Sequence, residues 1–193
     1  MNEITALVDR YLAQMAENNV HMMTPAAVPP EMLDPSIAPD SDWKGWKPAP
    51  SVVNDHDLDQ LEHDIGYALP PSYRTFLKHK HFYSLLMDDD AVWFPAHVPD
   101  KNLTFLREYV FEYMDPELII GRGYIYFADL TDHGALCFDT SRRDENGECP
   151  VIFLDHESLE EVYLYASNFT DLLTGDAETA TRFYERLNEE QDR

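Results

Sequence analysis

Residues Leu58 to Leu77, LDQLEHDIGYALPPSYRTFL, decide how this chain is read. They spell two short helices set back to back. Leu58, Leu61 and Ile65 recur at helical spacing and make one apolar stripe, which Asp55 or Asp57 can cap. Gly66 stands where a helix C-terminus needs a residue that tolerates positive φ. Pro70-Pro71 then opens a second helix, where a missing N–H is harmless, and Tyr73, Phe76 and Leu77 supply its buried face.

The same stretch resembles the short signature of the SMI1/KNR4 family (the SUKH superfamily), of the form LE..lG..LP..y..fL. It is carried here by Leu61-Glu62, Ile65-Gly66, Leu69-Pro70, Tyr73 and Phe76-Leu77. Later blocks resemble the family in the same order: Ile125 to Asp129, Leu136 to Asp139, Pro150-Val151 through Asp155-His156-Glu157, and Ala166 to Phe169 with Leu172-Leu173. One departure follows the second helix. The family usually has a small-residue turn there, whereas this chain has His79-Lys80-His81 and later Asp88-Asp89-Asp90. The loops between Lys78 and Ile119 are therefore not carried over. The resemblance implies an α+β fold: a mostly antiparallel sheet from the second half, packed by the signature helices, with an added helix at each end. Pattern alone gives only a mixed chain with strands after helices.

Charge bounds the partners. With 193 residues, 44% hydrophobic and 12% aromatic content, the chain has enough apolar material for a folded core. Its formal net charge is −23 at pH 7 and its pI is near 4.4. Direct binding to nucleic acid or anionic membranes is disfavoured, because the phosphate interaction is repulsive. A protein partner with a basic surface is the natural complement, although an acidic surface also serves solubility alone. Cys137 and Cys149 make neither a disulfide framework nor a zinc site; they read as free thiols, with a bridge across a hairpin as the alternative. Glu3, Asp9 and Arg10 interrupt any apolar leader, and no run is long enough to cross a membrane, so the expectation is a cytoplasmic protein.

The chain divides into three parts. Residues 1–21 carry Ile4, Leu7, Val8, Tyr11, Leu12 and Met15 at amphipathic helical spacing, for packing on the domain or for a partner contact. Residues 22–52 are a proline-rich connector in which Trp43 and Trp46 act as anchors or as binding hot spots. Residues 53–193 form the main domain. Within it, 102–114 reads as one helix burying Leu103, Leu106, Val110 and Tyr113, and 118–120 and 124–128 read as strands around a Gly-Arg-Gly turn. Residues 135–139 and 151–154 read as paired strands whose connection holds Asn146-Gly147. Val162 to Tyr165 fits a strand or a helix end. Ser167 or Asn168 caps a short helix ending at Gly175, and Asp176 caps the last one.

Catalytic patterns are weak. Asp129, Asp132 and His133 form a D-x-x-D-H cluster that falls short of a full metal ligand set. Asp155-His156-Glu157 suits a loop-orienting role better than a general base. Cys137 lacks the basic neighbour that an activated thiolate needs. His79-Lys80-His81 reads as a solvated helix end. No cofactor or metal is expected, and the reading is non-enzymatic. The resemblance then implies a binding protein, since bacterial members of this superfamily look largely like immunity proteins that neutralise polymorphic toxins. Fungal relatives suggest the alternative of a regulatory protein–protein interaction scaffold. Candidate contacts for a toxin with a basic, nucleic-acid-acting site are Asp88, Asp89, Asp90, Asp132, Asp144, Glu145 and Glu148 as phosphate mimics, with Trp93 as an apolar anchor.

Overall fold

The computed structural model describes residues 2–17, 19–37, 42–87, 91–113, 115–131, 134–156, 158, 160–175 and 177–191. Its helices are α1 (Glu3–Glu17), α2 (Asp55–Ile65), α3 (Pro71–Leu77), α4 (Thr104–Glu108), α5 (Phe169–Thr174) and α6 (Ala180–Gln191). Short strands β1 (Met23–Thr24), β2 (Lys44–Gly45), β3 (Ala49–Pro50) and β4 (Lys80–His81) form two small ribbons, β1 with β2 and β3 with β4. The main sheet holds β5 (Leu85–Met87), β6 (Val92–Phe94), β7 (Tyr124–Leu130), β8 (Gly134–Asp139), β9 (Val151–Asp155) and β10 (Val162–Ala166). These six pair antiparallel with their immediate neighbours in sequence, so the sheet is a continuous meander. The architecture is α+β, as expected.

The signature helices form with one change of cap. Asn54, not Asp55 or Asp57, is the N-cap of α2: its side chain accepts from the N–H groups of His56 and Asp57. Asp57 instead completes a capping box by accepting from the Asn54 N–H at 2.9 Å. Gly66 takes φ +84° and its N–H returns to the Glu62 carbonyl, which closes the helix as the sequence predicted. Glu62 also accepts from the Leu69 N–H and pairs with Arg74, tying α2 to α3. The next helix therefore enters at a fixed angle.

That angle delivers Tyr73 and Phe76 to the sheet. Tyr73 lies 5.1–5.7 Å, ring to ring, from Phe76, Phe127, Phe138 and Phe169. The stripe of α1 (Ile4, Val8, Leu12 and Met15) and the fully buried Trp46 join this same core. Trp43 is about half exposed. At the C-terminal end, Asn168 caps α5 by accepting from the Asp171 N–H, and Phe183 of α6 packs edge-on to Phe153. Asp176 lies outside the described residues.

Other expectations give way to local chemistry. Residues 118–120 are not a strand: the Asp115 carboxylate takes the Glu117 N–H and its carbonyl takes those of Leu118 and Ile119, winding the segment into turns. His79-Lys80-His81 is not a solvated helix end either. Lys80 and His81 form β4, and His81 is fully buried against His97, with ring centroids 4.6 Å apart. The Val52 N–H donates to His81 Nε2, so His81 Nδ1 carries the hydrogen and donates to the His97 carbonyl. Burial holds both rings below the ordinary histidine range, His97 at about 3. Among the described residues no helix is long and apolar enough to cross a membrane.

Candidate functional site

Side chains alternate along β7 until the strand breaks phase. Tyr126 opposes Cys137 and Ala128 opposes Leu136, so Phe127 is an extra residue in the ladder, a β-bulge. Phe127 and Ala128 consequently both face the helices, and Asp129 emerges on the same outer face as Tyr126. Without the bulge, Asp129 would point into the core. The outer face then carries one uninterrupted cross-strand row: Leu86, Trp93, Asp129, Ala135, Leu154 and Val162, each opposite the next. Asp129 is the row's one ionisable member.

The outer face is only partly covered. Ile119 and Tyr109 pack over Tyr126, Cys137, Ile152 and Leu154, whereas Leu164, Tyr113 and Leu118 are 52%, 55% and 42% exposed. The chain predicted as one long helix is the reason. It is α-helical only to Glu108 and then turns through a π-helix, Tyr109–Tyr113. The wider π turn rotates Tyr113 out of register with Leu103, Leu106 and Val110, so it leaves the buried face on which the sequence placed it. It meets Tyr109 at 4.9 Å instead, while Tyr109 stacks on Tyr126 at 5.4 Å and approaches Trp93 at 5.8 Å.

These rings border an open cavity of about 500 Å³, lined by Leu86, Ala91, Trp93, Tyr113, Asp129, Thr131 and His156. Asp129 Oδ1 is buried and, among the described residues, has no hydrogen-bond partner; nor has the buried hydroxyl of Tyr126. Burial raises the Asp129 carboxyl above its ordinary range. Tyr126 and His156 act in the opposite direction, the Tyr126 hydroxyl through its nearness and not through a well-formed hydrogen bond. Thr131, at the cavity edge, takes φ +54°, a conformation that a β-branched residue rarely holds, and its N–H donates to the Ala91 carbonyl at 2.6 Å. Strain and unsatisfied polarity therefore gather at one place. Two other hollows are less open to chemistry: a crevice of about 20 Å³ beside His97 inside the aromatic core, and one of about 170 Å³ between Tyr11, Tyr165 and Glu178.

Among the described residues, the sequence-predicted contacts fall at two separate places. Trp93 lines the cavity, half-buried, with its indole N–H donating to Ser84 Oγ. Asp88, Asp89, Asp90 and Asp132 lie outside the described residues, as do His133 and Glu157. Asp144, Glu145 and Glu148 sit in the β8–β9 connection, at the opposite end of the strands from Asp129. Asp144 organises that turn by accepting from the Asn146 and Glu148 N–H groups, and Glu145 is exposed. Glu148 is engaged within the chain: its carboxylate takes the Ser72 N–H at 2.9 Å and the Ser72 hydroxyl at 2.6 Å, at the start of α3.

Sequence reasoning named Asp129 only as a possible metal ligand and missed Tyr109, Tyr113 and Tyr126. Among the described residues no group of three or more His, Cys, Asp or Glu side chains is placed to hold a metal ion. Cys137 and Cys149 are free and buried, and burial raises both thiols, Cys149 to about 11. The model of the SMI1 / KNR4 family (SUKH-1) matches residues 53–175. No curated protein matches the chain.

Proposed function

The chain belongs to the SMI1/KNR4 family (SUKH-1), whose members have in general a protein-interaction or immunity-type role, and from that premise we propose that it is a non-enzymatic immunity protein. It binds and neutralises a bacterial polymorphic toxin whose active site is basic and acts on nucleic acid. The observation that carries this reading is the half-covered outer face of the sheet: exposed apolar side chains and, on the same face, a cavity with an unsatisfied carboxylate oxygen among the described residues, on a chain of net charge −23. Apolar area at the centre with acidic surroundings is the composition that meets a basic protein surface.

In this proposal residues 53–193 form the binding domain, with helix 1–21 and connector 22–52 packed on it. Trp93 is the apolar anchor. In sequence Asp90 precedes Ala91 and Asp132 follows Thr131, both cavity residues, so Asp88, Asp89, Asp90 and Asp132 are proposed as flanking contacts. Asp144 and Glu145 would serve a second, peripheral contact. The proposed place of action is the cytoplasm. Calorimetry against the C-terminal toxin domain encoded beside this chain tests the reading, at low and moderate salt. Saturable binding of one toxin per chain, weakened by salt, is expected. Absence of binding would overturn it and favour the regulatory scaffold.

A further inference from the structure

We infer that the cavity around Asp129 receives one basic side chain, a guanidinium, from the partner; the inference rests on the proposed function and names the contact at its centre. The neighbouring strand gives the contrast that argues for it. Asp139, 4% exposed at the end of β8, is fully provided for: the Ser141 N–H and hydroxyl and the Arg142 guanidinium all donate to its carboxylate. Asp129 is turned outward by the β-bulge and ends with Oδ1 buried and unpartnered among the described residues. A second buried polar atom, the Tyr126 hydroxyl, is also without a partner among them. The fold satisfies the buried Asp139 carboxylate from local residues and leaves the half-buried Asp129 with one oxygen, Oδ1, that is buried and without a partner among the described residues, so that oxygen is open to a donor from the partner.

The surroundings select the ligand. Trp93, Tyr113 and His156 line the same cavity, and Tyr109 is in ring contact with Trp93 and Tyr113, so the carboxylate shares the cavity with aromatic rings. Aromatic faces attract cations, and a carboxylate accepts paired hydrogen bonds from a planar fork. An anion would meet Asp129 and the net charge of −23. A purely apolar group would leave the buried oxygen unpaired. A hard divalent ion needs six or more oxygens, and Asp129 is the one carboxylate among the described residues lining the cavity. Its volume of about 500 Å³ lies in the range of small-molecule pockets (about 300–1,000 Å³) and suits a single long side chain.

The test uses the full chain and no partner. N-acetyl-arginine amide is titrated into the ¹⁵N-labelled protein, with the neutral isostere N-acetyl-citrulline amide as the comparison. The three tryptophan indole signals are followed. A saturable shift of the Trp93 indole with the arginine probe is expected, with at least tenfold weaker binding for citrulline. Asp129→Asn is expected to lose the arginine response by at least tenfold while keeping the dispersed spectrum of a folded chain, and Tyr113→Leu, which keeps the Trp93 reporter, to weaken it. Equal response to citrulline, or an unchanged response in Asp129→Asn, would overturn the inference. Failure to find a toxin partner leaves this result intact. A toxin complex unaffected by Asp129→Asn would preserve the proposed function and refute the guanidinium contact.

Discussion

The two faces of the main sheet are made by the same strands and end in opposite states. On the inner face, Phe127 stacks on Phe138 at 4.2 Å and meets Tyr73 and Phe169 at 5.7 and 5.6 Å, all of them buried. On the outer face, Trp93, Tyr109 and Tyr126 are also in ring contact, yet their stack runs out to a tyrosine that is 55% exposed and borders a carboxylate left without a partner among the described residues. Aromatic content alone does not distinguish the faces. The inner face closes because the helices pack over it, whereas the outer face has a short helical segment that loses its register in a π turn. The packed side and the half-covered side of β7 are set by one inserted residue, Phe127.

The largest predicted difference is in stability. Phe127→Ala should cost about 3–5 kcal/mol in denaturant unfolding, because its neighbours cannot collapse onto the void. The outer Leu164→Ala should stay within about 0.5 kcal/mol, being half in water already. Equal losses at the two positions would erase the distinction between the faces.

Titration separates them next. His81 and His97 are held neutral on the inner side, with His97 near 3 against an ordinary 6.5. Between those values the unfolded chain takes up protons that the folded chain refuses. Stability present above pH 6.5 is therefore lost as pH falls, by roughly 3 kcal/mol at pH 4 for His97 alone. Asp129 has the opposite sign: its raised carboxyl favours the folded state below its ordinary value of 3.8, and that contribution is lost as pH rises. Unfolding free energies of the wild type and of His97→Gln across pH 4–8 check the first claim. The acid loss should shrink in the variant, and an unchanged slope would count against a buried neutral pair.

A smaller effect sharpens the difference between a structural and a displayed carboxylate. Glu148→Gln should lower stability by about 1–2 kcal/mol, since the charge-assisted bonds to Ser72 at the start of α3 are weakened. Its binding to a toxin should be unchanged, as measured by calorimetry. A binding loss without a stability loss would restore Glu148 as a contact.

Much of the inner face was legible in the sequence. Leu58, Leu61 and Ile65 carry the helical period, Gly66 the positive φ, and Pro70-Pro71 the second helix start, because each of these signals is local. The outer face was not. Asp129 faces outward only because the ladder slips at Phe127, and a bulge leaves no mark on a strand pattern read from one chain. Tyr113 fits an α-helical stripe as well as any residue, and only the π turn takes it off. His81 sits among charged and polar neighbours in sequence and gives no sign that it pairs with His97, sixteen residues away across an isolated bridge between Phe82 and His97. The cap of α2 falls on Asn54 in place of Asp55 or Asp57, a choice the sequence leaves open because any of the three side chains can accept from the first turn.

The stability of Asp129→Asn at pH 7 is the most direct test of an outer face kept open for a partner. The amide matches the carboxylate in shape and removes a half-buried charge that has no partner on Oδ1 among the described residues. Denaturant unfolding should show the variant more stable than the wild type by about 1 kcal/mol, with the gain fading as pH falls toward 4. A variant less stable than the wild type would mean that Asp129 serves the fold, and would contradict its reservation for a ligand.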